Sequence, residues 1–227
     1  MITNDVWRRV FRLRFGQDEG TGVTIDVDGK QYLATARHVV NGLTSGGTIE
    51  IMRHGTWHKV AVTAVTHAGG DGDVSVIAVS GILSAPHLKL ALSMDGLAYG
   101  GDVYFLGYPY KMYGSIGAND GWPLPFVKRG TLSGISDPKT PGEPVLYLDG
   151  HNNPGFSGGP VVYRHETEFR LAGIVSGFLS VPEPVYLGGQ ESQLHYRDNA
   201  GIMVAWGSPV VIDLARQNGA GFSTSGY

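Results

Sequence analysis

The stretch Asn153–Pro160 reads NPGFSGGP, which places a serine among three glycines, followed by a proline and the apolar run Val161–Tyr163. Glycine has no Cβ and accepts positive φ, so such a loop can direct several backbone N–H groups at one point. In that setting the hydroxyl of Ser157 is a candidate nucleophile. The amides of Gly155 and Ser157 would stabilise the oxyanion that forms on its attack. The alternative is a glycine-rich turn of a β protein that carries an incidental serine.

The composition favours an all-β protein. Glycine supplies 35 of 227 residues, about twice its usual share of ~7%, and 42% of the residues are hydrophobic. A disordered chain would be far less hydrophobic. The composition therefore predicts many short strands joined by tight turns.

Charge and cysteine content exclude several classes of function. The net charge is −3, and the basic residues are scattered, so neither a nucleic acid nor a membrane surface is a predicted partner. The chain has no cysteine, which excludes disulfides, thiol catalysis and thiolate zinc sites. We predict no metal and no cofactor. The N-terminal residues show no signal-peptide pattern and no apolar run is long enough to span a bilayer, so we expect a cytoplasmic protein, with secretion as the less favoured alternative.

Alternating and β-branched runs predict twelve strands in two sets, which suggests two six-stranded antiparallel β-barrels. Asp28-Gly29 is typical of a two-residue hairpin turn. We predict an N-terminal subdomain over residues 1–110, a linker over 111–126 and a C-terminal subdomain over 127–227. The predicted strands are Trp7–Phe15, Val23–Val27, Gln31–Thr35, Thr48–Arg53, Lys59–Thr66, Val74–Val79, Asp102–Leu106, Val127–Ile135, Pro144–Leu148, Pro160–Arg164, Phe169–Phe178 and Gly201–Ala205.

A single helix is predicted near the C-terminus. Ser208 is the candidate N-cap and Pro209 occupies the first turn. The apolar face consists of Val210, Val211, Leu214 and Ala215. The tail Asn218–Tyr227 is small and polar, and we expect it to fray.

A nucleophilic serine needs a base, and the base needs an orienting group. His38 is the best candidate base, because it follows a predicted strand directly and can face a cleft from an anchored backbone. Asp73 precedes the apolar strand Val74–Val79, where a partly buried carboxylate can accept the proton of the other histidine nitrogen. Asp71 is the rival carboxylate, although its place in a glycine-rich turn favours a solvated residue.

These three segments together resemble the trypsin/chymotrypsin-like serine proteases, and the resemblance covers most of the chain. Thr35-Ala36-Arg37-His38 is similar to the motif around the family's histidine, Asp73–Val76 to the motif around its aspartate, and Gly155–Pro160 to its nucleophile loop. The runs Val103–Pro109, Gly130–Ile135 and Leu148–Gly155 resemble the disulfide-free bacterial members of the high-temperature-requirement type. We expect a protease domain only, without the peptide-binding module that those proteins usually carry.

The resemblance implies a chymotrypsin-like fold and a serine endopeptidase that acts on proteins or peptides through an acyl-enzyme. It makes His38, Asp73 and Ser157 the catalytic triad, with Gly155 and Ser157 as the oxyanion hole. It also implies that His151, Ser176 and Phe178 contribute to substrate binding, with His151 favouring an acidic or amide side chain. Ser176 resembles the serine that supports the catalytic aspartate.

Two residues depart from the family's pattern. Phe156 stands where a small polar or acidic residue usually precedes the nucleophile. It cannot form the ion pair with a newly cut N-terminus that activates the digestive members. Arg37 stands beside His38 where a small residue is usual, and we expect its side chain to face solvent. An inward guanidinium would lower the pKa of His38.

Two other readings are open at this point. Gly155–Gly159 also fits the G-x-S-x-G elbow of α/β-hydrolases, which requires parallel strands with intervening helices. A non-catalytic interaction module built on the protease fold is the other alternative. It is supported only by Phe156 and Arg37, since no triad residue is missing.

Overall fold

The computed structural model describes residues 1–115, 121–136 and 144–225. Within these ranges the chain forms fourteen strands and two α-helices, α1 over Asn4–Trp7 and α2 over Ser208–Asn218. The strands are β1 Val10–Phe15, β2 Asp18–Val27, β3 Lys30–Thr35, β4 Thr48–Arg53, β5 Thr56–His67, β6 Ser75–Val79, β7 Ala91–Leu92, β8 Asp102–Gly107, β9 Phe126–Ile135, β10 Val145–Asp149, β11 Pro160–His165, β12 Glu168–Leu187, β13 Gln190–Gly207 and β14 Phe222–Ser223. Neither described helix is long and apolar enough to cross a bilayer.

The first six strands form a closed antiparallel barrel. They pair in the order β3-β2-β1-β4-β5-β6, and a further pairing of β3 with β6 closes the ring. Asp28 and Gly29 both have positive φ, 50° and 73°, as the predicted two-residue hairpin between β2 and β3 requires. Side chains that alternate inward, such as Phe11, Leu13 and Ile51, fill the barrel.

The second sheet also contains a ring of six antiparallel strands. Its order is β11-β8-β9-β10-β13-β12, with β11 paired to β12, and the short β7 adds to β12 in parallel. The prediction of an all-β fold with two six-stranded barrels is confirmed. Because β7–β12 is the only parallel pair among the described strands, the α/β-hydrolase reading is wrong.

The predicted boundary between the subdomains is displaced. We assigned Asp102–Leu106 to the first subdomain, but β8 pairs with β9 and β11 of the second sheet. The chain therefore leaves the first barrel after Val79. Of the predicted linker 111–126, Phe126 begins β9 and residues 111–125 lie in the connection between β8 and β9, of which 116–120 are outside the described residues. Its glycines and prolines indicated a loop correctly, but a loop inside one barrel has the same composition as a linker between two.

The hairpin of β12 and β13 is much longer than predicted. We expected strands to end at Phe178 and restart at Gly201, whereas the two strands pair out to Leu187 and Gln190 around Gly188 and Gly189. Residues 179–200 are mostly exposed on both faces, so their sequence has no apolar alternation. Prolines within a run also argue against a central strand, and here Pro182 and Pro184 lie on an edge strand, where proline is tolerated.

Helix α2 packs its predicted apolar face, Val210, Val211 and Leu214, into the core shared by both barrels. Ser208 is not the N-cap. It is the first helical residue and is fully buried, Gly207 occupies the cap position, and the Ser208 hydroxyl has no partner within the described ranges. The tail is not frayed at Phe222–Ser223, because β14 pairs with β3.

Candidate active site

The loop that carries Ser157 is bonded to both barrels. The carbonyl of Ser157 accepts a hydrogen bond from the Thr21 N–H in β2, with an N···O distance of 2.8 Å. The hydroxyl of Ser157 donates to the carbonyl of Ser176 in β12 over 3.1 Å. The loop therefore lies in the groove between the two barrels, where a half-buried serine faces a cleft.

Close packing against neighbouring backbone explains two of the glycines in this loop. A Cβ on Gly158 would lie 2.0 Å from the carbonyl oxygen of Thr21, and φ at this residue is +83°. A Cβ on Gly155 would lie 2.3 Å from the carbonyl oxygen of Tyr108, with φ at +105°. Any side chain at either position would push the loop away from its neighbouring strands.

Two backbone amides of the loop, those of Gly155 and Ser157, have no hydrogen-bond acceptor among the described residues. Tyr110 N–H donates to the Pro154 carbonyl over 2.9 Å, and Gly159 N–H donates to the Phe156 carbonyl over 2.8 Å. In a trans peptide the N–H points opposite to the carbonyl. The N–H of Gly155 therefore points away from Tyr110, and the N–H of Ser157 points away from the N–H of Gly159. Neither amide donates to any other described residue, as the oxyanion hole predicted for this pair requires.

Asp73 holds His38 at two points. His38 lies in a 3₁₀ turn, Arg37–Val40, directly after β3, and Asp73 lies two residues before β6, which pairs with β3. One carboxylate oxygen accepts the His38 backbone N–H over 2.9 Å, and the other lies 2.8 Å from His38 Nδ1. The hydroxyl of Ser176 donates to the second oxygen over 2.6 Å.

The electrostatics of this pair determine the tautomer of the imidazole. Burial alone would raise the pKa of the Asp73 carboxyl, but hydrogen bonds from His38 and Ser176 outweigh it and the pKa lies below its usual value. An ionised carboxylate only accepts hydrogen bonds, so the proton is on Nδ1 and Nε2 is free to accept. The hydrogen bond to Asp73 also raises the pKa of His38 above its ordinary value.

His38 and Ser157 line the same cleft, which has a volume of about 320 Å³. The structure thus brings the three predicted triad residues together, with Asp73 behind the imidazole. Asp71, the rival carboxylate, is exposed. Arg37 does not face solvent as expected. It is half-buried, and its guanidinium donates to the Ala68 carbonyl over 2.9 Å.

The residues predicted to bind substrate separate into two groups. Ser176 and Phe178 line the cleft. His151 is exposed and is not among the residues that line it, and its backbone carbonyl accepts a hydrogen bond from Lys128. The buried residue that lines the cleft from this loop is the next one, Asn152, which the sequence pattern does not single out.

Phe156 is a core residue that anchors the loop. It is fully buried, and its ring packs edge-on against Phe105 with 5.0 Å between the centroids. The ammonium group of Lys128 lies 5.7 Å from the ring centroid. The departure from the family's pattern therefore has a packing role: an apolar contact with the second barrel holds the loop at this position.

We expect Phe156→Ala to lower the free energy of unfolding by about 3–5 kcal/mol, because it removes a buried ring and leaves a cavity. Urea denaturation measures this change. Phe126→Ala is the matched control, since Phe126 is 41% exposed and its loss should cost less than about 1 kcal/mol. Equal losses in the two variants would contradict the anchoring role.

Two antiparallel barrels with a serine, a histidine and an aspartate gathered between them define the class of chymotrypsin-like serine peptidases. The sequence matches the trypsin-like peptidase domain over residues 20–174, a range that contains His38, Asp73 and Ser157. The chain belongs to the trypsin-like peptidase family, and its function is that of a serine protease acting on proteins or peptides.

Solved structures show the same fold. The active form of the Rv3671c protease from M. tuberculosis is 19% identical, with a TM-score of 0.58 over 97% of this chain and 87% of that one. The HtrA-type protease AlgW with a tripeptide is also 19% identical, with a TM-score of 0.60 over 94% of this chain and 60% of that one. No curated protein sequence matches the chain significantly.

Proposed function

We propose that the chain is an endopeptidase in which Ser157 attacks the scissile carbonyl, His38 transfers the proton, and Asp73 orients the imidazole. The amides of Gly155 and Ser157 bind the oxyanion. The observation that carries this assignment is the double contact of Asp73 with His38 beside a cleft that Ser157 shares.

Acylation begins when the Ser157 hydroxyl leaves the Ser176 carbonyl and turns towards His38 by rotation about χ1. The Ser157 oxygen then bonds to the substrate carbonyl carbon while its proton passes to Nε2 of His38. Collapse of the tetrahedral intermediate breaks the peptide C–N bond, and the leaving amine takes the proton from His38. Water repeats these steps on the acyl-enzyme and releases the acid product.

The surface beside Ser157 supports cleavage within a chain rather than at its end. A second cavity of about 410 Å³ adjoins the cleft, and Pro154 lines both. Charged side chains wall this second cavity, among them Asp18, Glu19 and Lys111. Substrate residues on either side of the scissile bond thus have a surface to bind, which is what an endopeptidase requires.

Stopped-flow mixing with a p-nitrophenyl ester of a blocked amino acid tests this proposal. We expect a burst of one nitrophenol per enzyme, because acylation of Ser157 precedes hydrolysis of the acyl-enzyme. The burst rate should fall as the pH drops through the pKa of His38, with a midpoint above 6.5, since only neutral imidazole accepts the proton.

The inflection should move to lower pH in Asp73→Asn, which lacks the carboxylate that raises the His38 pKa. A burst that persists in Ser157→Ala would remove Ser157 from its role. A rate that is flat between pH 5 and about 8 would remove His38 from its role as the base.

A further inference from the structure

The side chain of Asn152 carries an unpaired polar group at the wall of the cleft. It lies in the loop that leads to Ser157 and is only 3% exposed. Its Oδ1 atom is buried without a hydrogen-bond partner within the described ranges. Buried polar atoms are nearly always paired, so an unpaired one beside the nucleophile indicates a ligand group that pairs with it.

The backbone around Asn152 is held on both sides. Asn199, at the base of the long hairpin, donates from Nδ2 to the Asn152 carbonyl over 2.9 Å. Lys128 donates to the His151 carbonyl and to Oδ1 of Asn153. The backbone at Asn152 is therefore fixed before any substrate arrives, which lowers the entropic cost of a hydrogen bond to its side chain.

Apart from His38, the residues that line the cleft have no ionisable side chain, and the ammonium of Lys128 beside it already donates to the His151 carbonyl and to Oδ1 of Asn153. A charged substrate side chain would lose its hydration here, and apart from His38 no cleft-lining residue offers it a counter-charge. A carboxamide has both a donor and an acceptor and is neutral, so it can pair with a second carboxamide. Besides His38 and Ser157, the residues that line the cleft are Asn152, Asn153, Pro154, Ser176, Gly177 and Phe178.

We propose that Asn152 selects substrates with an asparagine or glutamine at the residue whose carbonyl Ser157 attacks. This inference rests on the proposed function and names its substrate class. It assigns recognition of the substrate side chain to the buried Asn152 instead of the exposed His151.

Peptides that differ at this one residue test the selection. We expect kcat/KM for glutamine to exceed that for its near-isosteres glutamate and methionine by about 10- to 100-fold, because both lose a hydrogen bond to Asn152 and glutamate also brings a charge. The same order should hold for asparagine against aspartate and leucine. Peptides cleaved equally well within both sets would overturn the inference.

Variants assign the preference to one side chain. Asn152→Leu keeps the volume but removes both hydrogen-bonding groups, and the glutamine-to-methionine ratio should fall to within about threefold. His151→Ala is the matched control and should keep the wild-type ratio. Asn152→Asp, with the same shape and a negative charge, should raise the ratio of lysine to glutamine at least about tenfold.

Titration with a fluorophosphonate counts the active sites in each preparation, so a poorly folded variant does not distort the ratios. A wild-type protein that labels and cleaves without a carboxamide preference would overturn this inference alone. An Asn152→Leu variant that keeps the preference would do the same. A wild-type protein that takes up no label would overturn the proposed function, and this inference with it.

Discussion

Replacing Ser157 by alanine is expected to lower kcat for peptide hydrolysis by roughly 10⁶-fold, because the variant loses the hydroxyl that forms the acyl-enzyme. The other hydroxyl among the described residues of the cleft, that of Ser176, donates to Asp73 and so does not replace it. The residual rate would come from substrate binding and from the free amides of Gly155 and Ser157. The fold should persist, since the lost hydroxyl makes one hydrogen bond, to Ser176, worth about 1 kcal/mol.

Progress curves on an unstructured protein substrate measure this loss, and thermal unfolding confirms the fold. Ser80→Ala is the matched control. Ser80 is an exposed serine at the end of β6, and its variant should keep full activity. A Ser157→Ala protein within about tenfold of wild type would show that hydrolysis takes another route.

Asp73→Asn should lower kcat by about 10⁴-fold. Asp73 accepts hydrogen bonds from the backbone and the ring of His38 and from Ser176. The side-chain NH₂ of an asparagine must face one of these donors. When it faces Nδ1 of His38, it favours the tautomer of His38 that has its proton on Nε2. That imidazole cannot accept the proton of Ser157.

Asp71→Asn provides the control for this prediction, because it removes an exposed carboxylate two residues away and should change kcat less than about twofold. Steady-state kinetics at saturating substrate separates the two variants. A larger loss in Asp71→Asn than in Asp73→Asn would transfer the orienting role to Asp71.

The site was predictable because its parts are local signals. A glycine-rich loop around Ser157, a histidine directly after a strand and a carboxylate directly before one are each visible in a few residues. Their meeting follows from the pairing of β3 with β6 and from the bond between Thr21 and Ser157. The burial of Asn152 was not predictable. An irregular loop has no periodic pattern of polar and apolar residues from which the buried positions can be identified.

The errors in the fold share one cause, since each depends on tertiary contacts. The sequence of β8 does not indicate which of the two barrels the strand joins. Ser208 looks like a cap because serine is a good N-cap, but the helix begins one residue earlier and buries it. The β12–β13 hairpin has no buried face beyond its base and so lacks the alternation by which strands are recognised.

Labelling with a fluorophosphonate, followed by peptide mapping, tests the central claim most directly. We expect one phosphonate per chain, attached to Ser157, and no label in Ser157→Ala or after replacement of His38 by alanine. A wild-type protein that cleaves peptides but carries the label on another residue, or none at all, would contradict the account.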